Sequence, residues 1–490
     1  AISGDVDLEV AAGNLQLGYV AAAGTARLRA SGDIADASGD GGADVAGSVV
    51  DLDAGGAIGP NQRFVELIAE RLTATATGAI YLVGNAGGLI VEEIEAGGDL
   101  WLVLDGAGDL IVDRINAGND TRLYAYGGDV RLGTAETAGR MWVLAADSIL
   151  NDETTDVTNL TASAIELQAV AGHIGIEASP VRVITSSLTA TANDGIALAS
   201  TEDLSLGAVR SASGAIALSA DGDILNTLTG AATNLLGGDS VHLIALGDIG
   251  TSNNAIRIGT DARVSARHGG DLYLRTSNRD LNLAATESEQ GWAYLSLLGE
   301  GDLSADSVTA RGLHLRLQDG DAAIDTVATG ELDAVLAGEG RELSIAQLLM
   351  SARPRGVSVQ ADRLSLLNVQ SGRAMTFSLL GNDGGIADSI EVLGSIRGTA
   401  RFSELYADQA LVDVVRPDAR QSRIAIRRMI VLTGATVRTS SIAATIGSGD
   451  ATPFRLQVGR RAVSFPRRSN RVIEVVPRTA SLQTRGGFEM

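Results

Sequence analysis

The chain has 490 residues and is strongly acidic, with a formal net charge of −22. Such a chain offers no basic face to the phosphates of a nucleic acid or to an anionic lipid surface, so neither is expected as a partner. It contains no Cys, which excludes disulfides and thiolate-bound metals, and with 3% aromatic residues its core must be built from Ala, Val, Ile and Leu.

The first 46 residues already repeat at a spacing of about 20 residues. An alternating segment at Asp5–Val10 recurs at Ala26–Ala30, and Leu8 and Leu28 take the same place in the two segments. Alternation of apolar with polar or small residues is the strand period of two. Short strands that recur at a fixed spacing bury their apolar side by stacking on their neighbours, which predicts a solenoid. Because the chain opens inside this pattern, we expect it to be a segment of a longer protein.

Between residues 90 and 133, each strand follows a Gly-Asp or Asn-Asp pair, at intervals of about ten residues. Gly adopts left-handed backbone angles and Asp bonds its own chain two residues on, so such pairs are typical of turns. We therefore predict corners at these pairs and a structural role for their Asp residues. The four segments are Gly98–Leu104, Gly108–Val112, Asn119–Tyr126 and Gly128–Leu132.

A longer unit is superimposed on the coil and occurs three times. It consists of an Asp-Ile or Ser-Ile pair, an Ile-Gly pair about 25 residues later, and an alternating strand about 13 residues further on. Three ordered copies indicate that the unit is structural. The copies are Asp33-Ile34, Ile58-Gly59 and Leu72–Ala76; Ser148-Ile149, Ile174-Gly175 and Leu188–Ala192; and Asp223-Ile224, Ile249-Gly250 and Val264–His268.

Simple coils return between residues 269 and 324, and their punctuation weakens between 325 and 400. There, LSIAQLLMSA at Leu343–Ala352 predicts a short helix lying against the solenoid. After residue 400 the composition changes: residues 401–490 hold 15 Arg against 7 Asp plus Glu, a net charge of about +8, which leaves about −30 for residues 1–400 (−22 − 8). Two strands around Gly459, at Arg455–Val458 and Ala462–Phe465, predict a hairpin.

These observations predict an all-β chain that folds as a parallel β-helix (β-solenoid) with about 20-residue coils. We divide it into parallel β-helix repeats at residues 1–400 and a basic, β-rich C-terminal cap or assembly module at residues 401–490. A cap is needed because an open solenoid end is an unpaired strand edge.

The Gly-Asp punctuated coil together with the three-part unit, over residues 1–320, resembles the repeat regions of filamentous-haemagglutinin-like exoproteins, which are large secreted bacterial adhesins. The resemblance implies a right-handed parallel β-helix (β-solenoid) at the bacterial surface that works as a stalk or an adhesive fibre, without a cofactor or an active site. The chain lacks the Asn-Pro-Asn motifs of the family's secretion domain, and Gly59-Pro60-Asn61-Gln62 does not match them.

No catalytic, cofactor-binding or metal-binding residue is predicted. The four histidines have no companion ligands at metal spacing; His242 and His314 are expected to point outward, and His268 to lie in a turn. GDGGAD at Gly39–Asp44 is the nearest approach to a calcium loop, but a flexible loop is the favoured interpretation. The aromatic residues either cover corners and core ends or form a contact patch; they are Trp101, Trp142, Trp292, Tyr124, Tyr126, Tyr273 and Tyr294.

We therefore expect a non-enzymatic, extracellular structural or adhesive protein at the bacterial cell surface, without a transmembrane helix or a cofactor. Its expected partners are further copies of itself, other surface proteins, and glycans or proteins on host or neighbouring cells. The alternative is a subunit of a filament or surface layer, joined head to tail through the acidic body and the basic end. A polysaccharide depolymerase is the third hypothesis, and the low aromatic content disfavours a sugar groove.

Overall fold

The computed structural model describes residues 4–39, 41–60, 63–85, 87–152, 156–288, 290–351, 354–397 and 399–415, and strands at 423–426, 429–439, 444–446, 454–458 and 461–465. It is a parallel β-solenoid of about 19 turns with coils of about 21 residues, 65% strand, which confirms the predicted fold class. The described residues contain no α-helix, and none of them forms a helix with the length and apolar character needed to traverse a bilayer. The chain forms two compact units, Ala1–Gly247 and Asp248–Met490.

In the first unit, most strands pair in parallel with the strand two places later, so that a coil contributes two strands. The strands are β1 (Val6–Val10), β2 (Leu15–Leu17), β3 (Val20–Ala21), β4 (Thr25–Ala30), β5 (Ile34–Asp36), β6 (Val45–Ala46), β7 (Val49–Ala54), β8 (Val65–Ile68), β9 (Arg71–Ala76), β10 (Ile80–Gly84), β11 (Leu89–Ala96), β12 (Leu100–Leu104), β13 (Leu110–Ala117), β14 (Thr121–Ala125), β15 (Val130–Thr137), β16 (Arg140–Ala145), β17 (Ile149–Asn151), β18 (Leu160–Ala162), β19 (Ala164–Ala169), β20 (Val181–Thr185), β21 (Leu188–Ser200), β22 (Leu204–Ala220), β23 (Ile224–Asn226), β24 (Leu235–Gly237) and β25 (Ser240–Ala245).

The second unit repeats this arrangement and includes one 3₁₀ turn at Asn382–Gly384. Its strands are β26 (Ile256–Arg257), β27 (Arg263–His268), β28 (Leu272–Ser277), β29 (Leu281–Glu287), β30 (Trp292–Glu300), β31 (Leu303–Ala310), β32 (Gly312–Asp319), β33 (Ala322–Thr329), β34 (Glu331–Leu336), β35 (Glu342–Met350), β36 (Gly356–Gln360), β37 (Arg363–Ser371), β38 (Met375–Leu380), β39 (Ala387–Ile396), β40 (Thr399–Val415), β41 (Arg423–Ile426), β42 (Met429–Thr439), β43 (Ala444–Ile446), β44 (Phe454–Val458) and β45 (Arg461–Phe465).

The core consists of columns of aliphatic side chains that run from coil to coil. Ala26, Val50 and Leu72 occupy one register position in three successive coils, and all three are fully buried. Their neighbours along each strand face outward, as in β4, where buried and half-buried residues alternate. The alternation seen in the sequence therefore marks the inner and outer faces of the coil.

The corner Asp residues bond to the next coil and not to their own. Asp109 Oδ1 accepts the backbone N–H of Asp129 at 3.1 Å, and Asp129 Oδ1 accepts that of Ser148 at 2.9 Å. In the second unit, Asp302 Oδ1 accepts the N–H of Asp321 at 2.8 Å. The expected hydrogen bond to the residue two positions along the same chain is therefore wrong at these corners. Stacking places the backbone N–H of the next coil within hydrogen-bond distance of the carboxylate instead.

Several corner Gly residues are required by space and not by left-handed backbone angles. A Cβ at Gly108 would lie 1.3 Å from the carbonyl oxygen of Gly87, and one at Gly222 would lie 2.2 Å from Asp203 Oδ1. Neither Gly108 nor Gly222 has a positive φ, so the predicted left-handed angle is wrong at these positions. At Gly108 and Gly222 the neighbouring coil approaches so closely that no side chain fits.

The Ile-Gly pair of the three-part unit does need a left-handed backbone. Gly59, Gly175 and Gly250 have φ values of 70°, 57° and 72°, a region that favours Gly. The preceding Ile is buried, and in the first copy Ile58 bridges directly to Ile34 of the Asp-Ile pair one coil earlier. The two pairs of the three-part unit therefore correspond in the structure to two stacked isoleucines and a tight bend of the backbone.

The predicted helix at Leu343–Ala352 is wrong, because residues 343–350 belong to β35, while Ala352 lies outside the described residues. Leu343 pairs in parallel with both β33 and β37, and the backbone bonds of the segment therefore run between coils. Two successive non-core residues, Ala346 and Gln347, interrupt the alternation and give the apolar residues a spacing of three that imitates a helix.

Parallel pairing continues beyond residue 400 through β44, which pairs antiparallel with β45. This confirms the hairpin predicted at Arg455–Val458 and Ala462–Phe465. The division of the chain at residue 400 and the role of residues 401–490 as a cap or assembly module stay predictions, and residues 466–490 lie outside the described residues.

Candidate functional site

A column of aromatic side chains lies on the outer face of the first unit. Tyr81, Trp101, Arg122 and Trp142 occupy the same register position in four successive coils. The ring of Phe64 meets that of Trp101 edge-on, with 5.2 Å between the centroids. We call these five residues the first aromatic column; apart from the buried Tyr81, their side chains are partly exposed.

Arg122 lies between the indole rings of Trp101 and Trp142 in this column. Its guanidinium carbon lies 5.4 Å from the ring centre of Trp101 and 4.3 Å from that of Trp142. Each contact is within cation–π range, so the rings hold the cation in place on a flat, half-exposed surface. Such a surface can stack on the apolar face of a sugar or on an aromatic side chain of another protein.

The second unit carries its own stack of rings. Tyr273, Tyr294 and His314 follow one another in successive coils, with centroid distances of 4.5 and 4.8 Å and nearly parallel planes. We call these three residues the second aromatic column. His314 Nδ1 lies 3.1 Å from Asp333 Oδ2 in the next coil, which confirms that His314 points outward. Burial, followed by the charge of Asp271, raises the pKa of Tyr273 above its ordinary value.

A shallow depression of about 660 Å³ lies in the second unit and is lined by Arg311, Thr329, Met350 and Arg355, among others. Both guanidinium groups also approach the ring of Trp292, at 6.0 Å for Arg311 and 5.7 Å for Arg355. The depression is open and carries positive charge beside an aromatic ring, which suits weak contact with an anionic or aromatic group.

The other histidines do not converge on a common site. His242 lies on the outer face, with Nε2 3.0 Å from Ser240 Oγ, and His173 Nδ1 is 3.4 Å from Ser148 Oγ. His268 ends β27 and is 4% exposed, so its predicted position in a turn is wrong. Its ring fills an inward position, and Nδ1 is 2.7 Å from the carbonyl oxygen of Gly270.

Three acidic side chains converge near the first Asp-Ile pair. Carboxylate oxygens of Asp36, Asp44 and Glu66 lie within 4.8 Å of one another, and Asp36 and Asp44 are 4% and 0% exposed. Asp36 accepts the N–H groups of Ser38 and Gly39 at 2.6 and 2.7 Å. Asp44 Oδ2 accepts the N–H of Glu66 at 3.0 Å, whereas Asp44 Oδ1 and Glu66 Oε2 are buried without a hydrogen-bond partner among the described residues.

The environment of this acidic cluster acts differently on its two buried members. Burial raises the pKa of Asp44 to about 8, and the neighbouring carboxylates of Glu66 and Asp36 contribute to the rise. Burial also acts on Asp36, but the hydrogen bonds from Ser38 and Gly39 outweigh it and hold the pKa of Asp36 below its ordinary value. The prediction that the chain has no metal-binding residues is not decided by this geometry, yet these three are the residues that can hold a cation.

No protein-family model, curated protein or solved structure matches the chain. The parallel β-solenoid follows from the structure itself. The similarity to filamentous-haemagglutinin-like repeats rests on the sequence pattern alone.

Proposed function

We propose that the chain is a non-enzymatic structural and adhesive β-solenoid of the bacterial cell surface, a segment of a large secreted protein that forms a stalk or fibre. The observation that carries this proposal is the pair of aromatic columns on the outer faces of stacked coils. Stacking at about 4.8 Å per coil lines side chains up in straight rows on a rigid support, which suits repeated contacts with the surface of a partner.

The first aromatic column is the preferred contact surface. Trp, Tyr and Arg are enriched among the residues that dominate the binding energy of protein interfaces, and Trp and Tyr combine a large contact area with little loss of conformational entropy. Parallel stacking already fixes these side chains, so a partner meets them at low entropic cost. We propose glycans or proteins on host or neighbouring cells as the partners.

The test uses beads coated with the purified chain and layers of host or bacterial cells. Substituting Trp101→Ala together with Trp142→Ala should lower bead retention at least tenfold. The matched control, Thr73→Ala with Thr75→Ala, changes two outward residues of β9 and should retain wild-type adhesion. Equal retention by the Trp variant, with an unchanged circular dichroism spectrum, would count against the column as the adhesive surface.

Self-association is the second candidate, and the contrast between about −30 on residues 1–400 and about +8 on residues 401–490 favours it. Head-to-tail contacts that do not close generate filaments. Electron micrographs of the purified chain separate the two candidates, since adhesion requires only isolated particles. Release of reducing ends from a bacterial or host polysaccharide would instead favour the depolymerase hypothesis.

A further inference from the structure

We propose that Asp36, Asp44 and Glu66 bind a divalent cation, with calcium as the fitting ion, and that this site distinguishes the first copy of the three-part unit from the other two. The inference does not depend on the adhesive function. It rests on a comparison of the three copies inside this one chain.

The three copies can be aligned residue by residue around this site. Each contains a polar residue two positions after the Ile of the first pair, buried in the first and third copies and half-buried in the second, and a fully buried polar residue eight positions later. In each copy, the first of these residues also lies in register with a Leu of the preceding coil, and that Leu is followed by Gly. The corresponding sets are Asp36, Asp44, Leu17 and Gly18; Asn151, Asn159, Leu132 and Gly133; and Asn226, Asn234, Leu206 and Gly207.

The second copy shows what this position requires. Asn159 is fully buried, and its Nδ2 donates to the carbonyl oxygens of Leu132 and Gly133 and to Asn151 Oδ1, each at 2.9 Å. Its Oδ1 accepts the backbone N–H of Arg182 at 2.9 Å. One amide group thus satisfies three oxygens and one N–H.

The third copy repeats the arrangement. Asn234 Nδ2 donates to the carbonyl oxygens of Leu206 and Gly207 at 3.2 and 3.1 Å and to Asn226 Oδ1 at 2.9 Å. In both copies, therefore, a donor with partial positive charge lies among three oxygen atoms.

The first copy replaces this donor with an acceptor. Asp44 Oδ2 takes over the bond to the following coil, as Asn159 Oδ1 does, by accepting the N–H of Glu66. That leaves Asp44 Oδ1 in the place of the amide nitrogen, fully buried and without a partner among the described residues. A carboxylate that binds a cation is ionised and cannot donate to the oxygens that surround it, so the site offers a positive ion only oxygen acceptors at its centre.

Glu66, the third acidic residue, adds another carboxylate to this site. Glu66 aligns with Arg182 of the second copy, since both follow the central residue in the next coil and bond to it through the backbone. The first copy therefore has Asp, Asp and Glu where the second has Asn, Asn and Arg. The guanidinium of Arg63 approaches Gly39, but the Arg63 side chain is exposed. The negative charge of the buried carboxylates therefore remains to be balanced by another cation.

The donor set points to a hard cation. The three side chains offer carboxylate oxygens only, and the carbonyl oxygens of Leu17 and Gly18, which align with those that Asn159 and Asn234 bind in the other copies, would be further oxygen ligands. Calcium takes six to eight such ligands in flexible geometry, whereas zinc prefers His and Cys, neither of which occurs in this cluster. Magnesium demands a tighter octahedron and retains more of its water.

The test is isothermal titration calorimetry of the full chain, stripped with a chelator, against CaCl₂ and separately against MgCl₂ at pH 7.5. We expect one saturable calcium site above the weak binding of surface carboxylates, a weaker magnesium response, and a rise of several degrees in the thermal midpoint with calcium. The absence of a saturable site in the stripped wild-type chain would overturn the proposal and indicate that Asp44 holds a proton instead.

The other copies supply the variant. Asp36→Asn with Asp44→Asn installs the amide pair of the second and third copies, so the protein should fold without metal and lose the calcium site and the calcium-dependent shift of the midpoint. Glu202→Gln with Asp221→Asn removes the same charge from exposed positions and should leave the site unchanged. A calcium affinity in the Asn variant equal to that of the wild type would also overturn the proposal. Should the Asn variant not fold, Glu66→Gln tests the same site and should weaken calcium binding at least tenfold.

Discussion

A buried hydroxyl interrupts an apolar column of the first unit. Thr121 lies between Leu100 and Met141 in successive coils, is fully buried, and has no hydrogen-bond partner for Oγ1 among the described residues. Thr121→Val removes this uncompensated polar group at nearly constant volume. We expect the free energy of unfolding to rise by about 1 kcal/mol, measured by chemical denaturation.

Thr137 provides the control for this substitution. It is also buried, but its hydroxyl donates to the carbonyl oxygen of Asn119 one coil earlier. Thr137→Val should therefore lower the free energy of unfolding by about 1 kcal/mol. If both substitutions destabilised the protein equally, the hydroxyl of Thr121 would have to make a hydrogen bond in the folded protein, contrary to this prediction.

His268 makes the second unit sensitive to acid. Burial lowers its pKa below the ordinary value of 6.5, although the bond to the Gly270 carbonyl and the charges of Asp271 and Asp248 act in the opposite direction. The folded state binds a proton at His268 less readily than the unfolded chain does. The folded state with neutral His268 therefore has its full stability above about pH 6.5, and part of that stability is lost as the pH falls through the lowered pKa.

The corresponding positions in the first two copies of the three-part unit hold Ala76 and Ala192, which makes His268→Ala a substitution that the fold already accommodates. The thermal midpoint of the wild-type chain should fall more between pH 7 and pH 5 than that of the variant. Parallel pH profiles for the two proteins would show that His268 does not titrate in this range.

At the level of the coil, close approach of the corners sets the strictest sequence requirement. Gly108→Ala would place a methyl group 1.3 Å from the Gly87 carbonyl oxygen, which only a backbone shift can relieve. We expect a loss of several kcal/mol, on the order of a severe core substitution. Gly87→Ala is the matched control: its Cβ would meet nothing within 4 Å and its φ is not positive, so the thermal midpoint should change little.

Much of the element pattern could be predicted from the sequence because strand alternation and coil spacing are local signals. The helix prediction at Leu343–Ala352 was wrong because partners more than 20 residues away, in β33 and β37, decide the backbone bonding there. The hydrogen-bond partners expected for the corner Asp residues were wrong for the same reason, since their actual partners lie in the next coil. The motif at Gly39–Asp44 contained Asp44 of the acidic cluster, but not Asp36 or Glu66, because the fold brings these residues to Asp44 from outside the motif.

For the molecule as a whole, charge is the property most open to experiment. If the acidic residues 1–400 of one chain attract the basic residues 401–490 of another, salt will weaken the association, since the Debye length falls to about 3 Å at 1 M. Sedimentation velocity between 50 mM and 1 M NaCl should show large species giving way to monomers. Assemblies that persist in molar salt would contradict an electrostatic head-to-tail contact.

The corner hydrogen bonds join residues that are 19 positions apart between Asn14 and Asp33 and 24 apart between Asp33 and Ala57. The corner hydrogen bond therefore fixes the position at which one coil meets the next, but it does not fix the number of residues in the coil. Insertions between two corners would be extruded as surface loops while the aliphatic interior keeps its alignment. Natural variation in such a chain can therefore concentrate in these loops, where new recognition properties arise without any cost to the folded interior.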